Sequence, residues 1–237
     1  NVSLVVEGRT FRVKKDFLMK QSSYFDAMFS VDMKEAREGI ATINETRADI
    51  FEKIIQYYDG HSFHLTEDKL DEACSILITA SMYQFRTVME ECINFLTEIL
   101  APRNCLKIMT FSFPHNFKNL ANNSLQFALW EFDSICQQQQ FLNLSQVELF
   151  DYLDNPNLNT KCEINVLRAV MRWLEKQESL GVEKVEKILQ VVRFQSITNA
   201  DLDSVIHHPV WKDRGCTDVL GSFRSAGWQA LYPKKVL

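Results

Sequence analysis

β-Forming runs end early in this chain, and helical spacing of apolar residues takes over for the rest. Ser3-Leu-Val-Val-Glu7 and Thr10-Phe-Arg-Val13 are rich in branched and aromatic residues. Gly8-Arg9 between them reads as a tight hairpin turn. Ile40-Ala-Thr-Ile43, entered through Gly39, is a third short strand, and after it such runs almost vanish. Only 7 glycines and 5 prolines are spread over 237 residues. That is too few for the tight turns of a β-sandwich, and it suits long helices joined by short loops. The expected class is an α+β N-terminal domain, a small sheet flanked by helices, over residues 1–101. An all-α domain of helical hairpins is expected over residues 102–237.

The helical stripes can be read one after another. Thr46 is a candidate N-cap for a helix carrying Ile50, Phe51, Ile54, Ile55 and Tyr58, with Gly60 as its C-terminal stop. The next begins after Thr66 and aligns Leu70, Ala73, Cys74, Leu77 and Ile78; another aligns Val88, Cys92, Phe95, Leu96 and Ile99 and ends before Pro102. Beyond it, Leu106 and Met109 open a helix that stops near Pro114, and Leu120, Leu125, Ala128 and Phe132 lie along one more. Ser145 caps a short helix closed by Asn155-Pro156-Asn157, and Val166, Leu167, Val170, Trp173 and Leu174 mark a strongly amphipathic one. Further helices are expected over Val182 to Val192, Asp201 to Val205 and around Val219, Leu220 and Phe223.

Composition narrows the function classes. At 46% hydrophobic and 24% charged the chain is built to fold. A net charge of −5 lends a nucleic-acid surface no support, and Lys14-Lys15 and Lys234-Lys235 are too short to track a phosphate backbone. Cys74, Cys92, Cys105, Cys136, Cys162 and Cys216 form no C-x-x-C pair. They read as free thiols in a reducing compartment, and a cytoplasmic site, with the nucleus as a second, is expected. No apolar run nears the roughly 18 residues of a membrane span. Asn1 in place of Met gives the expectation of a processed or truncated piece. Neither a Gly-rich phosphate loop, nor a nucleophile elbow, nor H-E-x-x-H occurs. His61 and His64 have no Cys or carboxylate spacing to complete a metal site, and His207-His208 sits in a turn before Pro209. No catalytic residue, metal or cofactor is expected.

The segment from Ser22 to Gly39 stands apart. Tyr24, Phe25, Met28 and Phe29 form an apolar stripe on one helix face. The turn that follows is polar except for Met33, beside Lys34 and Glu35. Two readings are open: Met33 is a contact point for another protein, or it folds back against Phe29.

With the elements in place, the motifs become recognisable. Leu4-Val-Val-Glu-Gly-Arg-Thr-Phe11, Leu18, Ser23-Tyr-Phe25, Ala27-Met-Phe29 and Met33-Lys-Glu-Ala36 resemble a BTB (POZ) domain. Tyr57-Tyr-Asp-Gly60, Leu65-Thr-Glu-Asp68, Ala80-Ser-Met-Tyr83 and Cys92-x-x-Phe95 continue it in order. Asn104-Cys-Leu106, Phe141-Leu-Asn-Leu-Ser145, Leu158-Asn159, Glu163, Ala169-Val-Met-Arg-Trp173 and Val192-Arg193 resemble a BACK domain. The layout is similar to that of the kelch-like substrate adaptors of cullin-3 ubiquitin ligases, and the resemblance covers essentially the whole chain.

The resemblance implies a non-catalytic adaptor that binds the N-terminal region of cullin-3 through a BTB–BACK groove. It also implies a homodimer, and a C-terminal kelch region that captures the substrate protein. Met33-Lys34-Glu35 fits the family's apolar-x-acidic contact motif. The implied cullin-binding residues are Ala27, Met28, Met33, Glu35, Tyr83 and Leu106, and the implied dimer interface includes Phe17 and Leu18. Tyr83 is equally readable as an interhelix residue, and Leu106 and Met109, which could line the BACK side of the groove, read better as core. Where the family carries an acidic residue and a His near the dimer interface, this chain has Asn1 and Lys14. No kelch repeat precedes the end of the sequence near Tyr232-Pro233, so a shortened chain, or a member without a substrate domain, is expected. Two further readings of such a layout are a homo-oligomeric scaffold and a transcriptional co-repressor module.

Overall fold

The computed structural model describes residues 1–31, 34–177, 180–213 and 215. The chain divides into two compact units, Asn1–Leu100 with Phe111–Ala121, and Ala101–Thr110 with the described residues from Asn122 onward.

The first unit is α+β, as its sequence pattern predicts. Strand β1 (Val2–Val6) pairs antiparallel with β2 (Arg9–Val13) and parallel with β3 (Ile40–Ile43), giving the order β2-β1-β3. Alternation along β1 buries Val2, Leu4 and Val6. The hairpin turn lies one residue earlier than expected. Glu7 and Gly8 occupy it at φ 45° and 77°, the type I′ geometry that matches strand twist, while Arg9 belongs to β2.

Between β2 and β3 run α1 (Lys15–Gln21), α2 (Ser23–Ser30) and α3 (Lys34–Glu38). After β3 come α4 (Ala48–Tyr58), a 3₁₀ turn at Glu67–Lys69, α5 (Leu70–Met82) and α6 (Arg86–Glu98), the last two packed on each other. Phe25, Phe51 and Phe85 are fully buried at the centre, with ring centroids 5.8 Å and 6.4 Å apart.

Thr46 does not cap α4. The helix starts at Ala48, whose N–H donates to the Glu7 carboxylate at 2.9 Å, while Thr46 is buried and turns its hydroxyl towards Tyr83. The cap therefore comes from the hairpin turn, 41 positions away. Gly60 does end α4: at φ 92° it lets its own N–H and that of His61 close back on Tyr57 and Gln56.

The second unit is helical. It draws on α7 (Cys105–Ser112) and α8 (Lys118–Trp130), and continues with α9 (Phe132–Ile135), α10 (Gln146–Leu153), α11 (Glu163–Lys176), α12 (Val182–Leu189), α13 (Asn199–Ile206) and α14 (Pro209–Asp213). The expected single helix through Phe132 breaks at Glu131, and the expected run to Val192 ends at Leu189. Ser145 caps α10 through a reciprocal box with Glu148. The stripe read from Val166 to Leu174 is the buried face of α11. The helix expected around Val219, Leu220 and Phe223 lies outside the described residues, as does Cys216.

Cys74, Cys92, Cys105, Cys136 and Cys162 form no disulfide; the first four are buried and Cys162 is exposed. Burial pushes the thiols of Cys92 and Cys105 up to about 12, so they remain protonated core groups. Among the described residues no helix is long and apolar enough to cross a membrane, and no cluster of three or more metal-ligating side chains occurs.

Candidate docking site

Helix α2 carries Ala27 and Met28 of the sequence-expected contact residues, and its placement follows from two aromatic residues. Phe25 and Phe29 lie at i and i+4 on the buried side. The other side is thereby forced outward: Asp26, Ala27 and Ser30 are exposed, and Met28 is half-buried. Val31, just beyond the helix, is 58% exposed. Ser22 closes α1 and opens α2 at once, its hydroxyl accepting the Phe25 N–H at 3.1 Å. Lys15 sits over the Phe29 ring at 5.8 Å, shielding its solvent edge.

Short helix α3 follows, with Glu35 half-buried and Lys34 exposed. Gly39, at φ 66°, donates to the Glu35 carbonyl at 2.9 Å and turns the chain into β3. Met33 lies outside the described residues, so the choice between its two readings is not made by geometry. An open basin of about 560 Å³ is lined by Asp16, Met19 and Lys20 of α1 and by Ser23 and Asp26 of α2. It has two carboxylates and one ammonium, so its rim favours a cationic neighbour.

Tyr83 is placed differently from the contact expectation. It is only 5% exposed. Its ring lies 5.2 Å from Tyr24, 5.9 Å from Phe25 and 6.1 Å from Phe51, and its hydroxyl donates to the Asn44 carbonyl at 2.6 Å. Burial pushes its phenol above the ordinary range. With these internal partners Tyr83 packs within the core of the first unit.

Leu18, expected at a dimer interface, is 1% exposed and also belongs to the core, because it is the residue that α1 buries. Phe17 is half-buried and meets Tyr58 edge to face at 5.8 Å. In the second unit Leu106 is 1% exposed and Met109 5% exposed, so both pack inward. Leu106 forms part of the wall of a cavity of about 200 Å³ shared with Lys107, Thr110, Gln140, Asn143, Leu144 and Glu148.

Ala27 is thus exposed and Met28 and Glu35 half-buried, whereas Tyr83 and Leu18 are buried within the first unit and Leu106 within the second. Sequence reasoning passed over Ser22 and Gln84, which fix α2 from below. Ser22, directly ahead of an apolar stripe, had an N-cap signal; Gln84 had none.

Two comparisons complete the description. The BTB/POZ domain family matches residues 1–100, and the BACK family, BTB And C-terminal Kelch, matches residues 105–207. Together with an α+β unit followed by a helical one, these define a BTB–BACK chain. It is 35% identical over 194 residues to Kelch-like protein 24a of Danio rerio, covering 81% of this chain and 32% of that protein. Identity to Kelch-like protein 24 of Homo sapiens is 34% over 193 residues, with the same coverage. Kelch-like protein 41 of Homo sapiens is 28% identical over 177 residues, 75% of this chain and 29% of its own length. The chain belongs to the kelch-like BTB–BACK family, and it spans about a third of the length of these curated relatives.

Proposed function

We propose that this chain is the non-catalytic adaptor portion of a cullin-3 ubiquitin ligase. It docks the N-terminal region of cullin-3 on the outer side of α2 and the following acidic turn, acting in the cytoplasm and, secondarily, the nucleus. It works as a homodimer, and in the whole protein it links cullin-3 to a kelch region that recruits the substrate, promoting ubiquitination. No chemistry is asked of its own side chains.

The observation that supports this reading is the division of α2: two phenylalanines lock it into an aromatic core, and Ala27 and Met28 are left accessible on a helix that cannot easily shift. A small residue beside a thioether suits a partner helix, since Ala permits close approach and Met adapts its shape. Glu35 supplies a rim carboxylate for a basic or hydroxyl group.

The test is a titration of the purified chain with a cullin-3 N-terminal fragment, with light scattering for stoichiometry. Met33→Ala combined with Glu35→Lys is expected to abolish binding without lowering the melting temperature. Ala27→Glu places a charge in the same contact and is expected to do likewise. Wild-type chain that stays dimeric but shows no shift with the fragment would favour the scaffold reading instead.

A further inference from the structure

The elbow between α5 and α6 clasps the start of α2 in three places, and one residue of the elbow is strained to do so. Ser22 Oγ donates to the Tyr83 carbonyl at 2.5 Å across 61 positions. The backbones of Ser22 and Phe85 form an isolated antiparallel bridge. Ser23 Oγ donates to Gln84 Oε1. Within the elbow, the Phe85 N–H closes on the Ala80 carbonyl at 2.8 Å and the Gln84 N–H on Ser81 at 3.2 Å, a helix stop that calls for a left-handed residue. Gly60 fills that position at the end of α4, whereas here Gln84 does, at φ 54°. A left-handed non-glycine costs free energy that persists only where the surroundings over-determine it.

Tyr83 extends the clasp to a third segment. Its ring packs on Tyr24 and Phe25 of α2, and its hydroxyl holds Asn44, in the loop joining β3 to α4. Ser22, Tyr83 and Phe85 are 1%, 5% and 0% exposed, so none can touch a partner directly.

We propose that Ser22, Tyr83 and Gln84 are positioning residues for the docking side of α2: the elbow sets the pitch at which Ala27 and Met28 are presented. This rests on the docking reading above. Tyr83 on this view affects partner binding strongly while contributing no contact of its own.

The experiment measures binding of the cullin-3 N-terminal fragment to the 237-residue chain and to its Ser22→Ala and Tyr83→Phe variants. Val2→Ala, a core truncation in β1, is the control for general destabilisation. Melting temperature and amide hydrogen exchange of residues 24–30 are recorded alongside. Ser22→Ala and Tyr83→Phe are each expected to weaken binding about fivefold, as loss of one cap or buried hydrogen bond implies. Exchange over α2 is expected to quicken in both, and Val2→Ala is expected to lower the melting temperature while leaving affinity unchanged. Affinity unchanged in Ser22→Ala and Tyr83→Phe overturns the positioning role alone, and so does an equal loss in Val2→Ala. If wild type itself fails to bind, the docking reading falls, and the positioning role with it. Should Ser22→Ala not fold, Tyr83→Phe, which keeps the ring and removes one hydroxyl, decides the matter.

Discussion

The two units are held by polar contacts of different reach. In the first, Ser22 meets Tyr83 across 61 positions, Glu7 meets Ala48 across 41 and Tyr83 meets Asn44 across 39. In the second, the Ser145–Glu148 box and the Thr198–Asp201 cap close within 3 positions, and Trp211 reaches back 6 to the Val205 carbonyl. Its longer contacts include one across 36 positions, between Arg172 and the Cys136 carbonyl. Topology explains the difference. A parallel β1–β3 pair needs a crossover, so α1 to α3 are inserted between strands that touch, and remote segments meet at the sheet. Helices joined by short loops pair with near neighbours, so the closures of the second unit span shorter stretches of chain, as between Asn165 and Asp133 or Arg193 and Glu163.

The sharpest way to break that comparison is to ask what dominates the second unit. Trp173 is 1% exposed and donates its indole N–H to the Leu144 carbonyl at 2.8 Å. Trp173→Ala removes a large buried ring and orphans that carbonyl. It is expected to cost about 3–5 kcal/mol by chemical denaturation, whereas Ser145→Ala, which opens the capping box, costs about 1 kcal/mol. Equal losses would mean that short-range caps, and not the buried apolar face of α11, hold this unit.

The same contrast governs what could be read beforehand. The Ser145 box and the Gly60 stop depend on residues a few positions apart, so the sequence displayed them. The buried face of α11 was legible because its period repeats through 14 residues. The Glu7 cap on α4 was not legible, and Thr46 was named instead, because nothing local shows that the hairpin turn ends beside Ala48. Tyr83 was left between two readings for a related reason: an aromatic at a helix end reads alike whether its hydroxyl meets solvent or the Asn44 carbonyl. Gln84 hid a helix stop because it is not glycine. Spacing marked Tyr24, Phe25, Met28 and Phe29 as one apolar face of α2, of which only Phe25 and Phe29 are buried, and what clasps the helix was not visible.

Asp133 tests whether a mid-range joint in the second unit works through charge. Burial alone would raise its carboxyl, yet the Lys161 N–H at 2.9 Å, Thr160 Oγ1 at 2.8 Å and Asn165 Nδ2 at 3.0 Å hold it below the ordinary carboxylate range. A lowered folded-state value stabilises the fold at pH above the unfolded value of about 3.9 and loses that contribution as pH falls through the folded one. Asp133→Asn is expected to cost about 1–2 kcal/mol at neutral pH, at the lower end because the group is largely solvated. The gap to wild type should stay constant from about pH 5 to pH 8 and close below about pH 4. A gap that persists in strong acid would mean that shape, not ionisation, makes this joint.

Glu7 offers the smallest effect and the finest discrimination, because it carries a cost and a gain at one residue. Its φ of 45° is a left-handed conformation that side chains disfavour, and its carboxylate accepts the first N–H of α4. Glu7→Ala keeps the strain and removes the cap, so it is expected to lose about 1 kcal/mol. Glu7→Gly removes both, and relief of the strain recovers roughly 0.5–1 kcal/mol, leaving that variant close to wild type. Matched thermal melts of the two variants therefore separate the terms. If Glu7→Gly falls as far as Glu7→Ala, the turn is unstrained and the long-range cap alone explains why a glutamate occupies it.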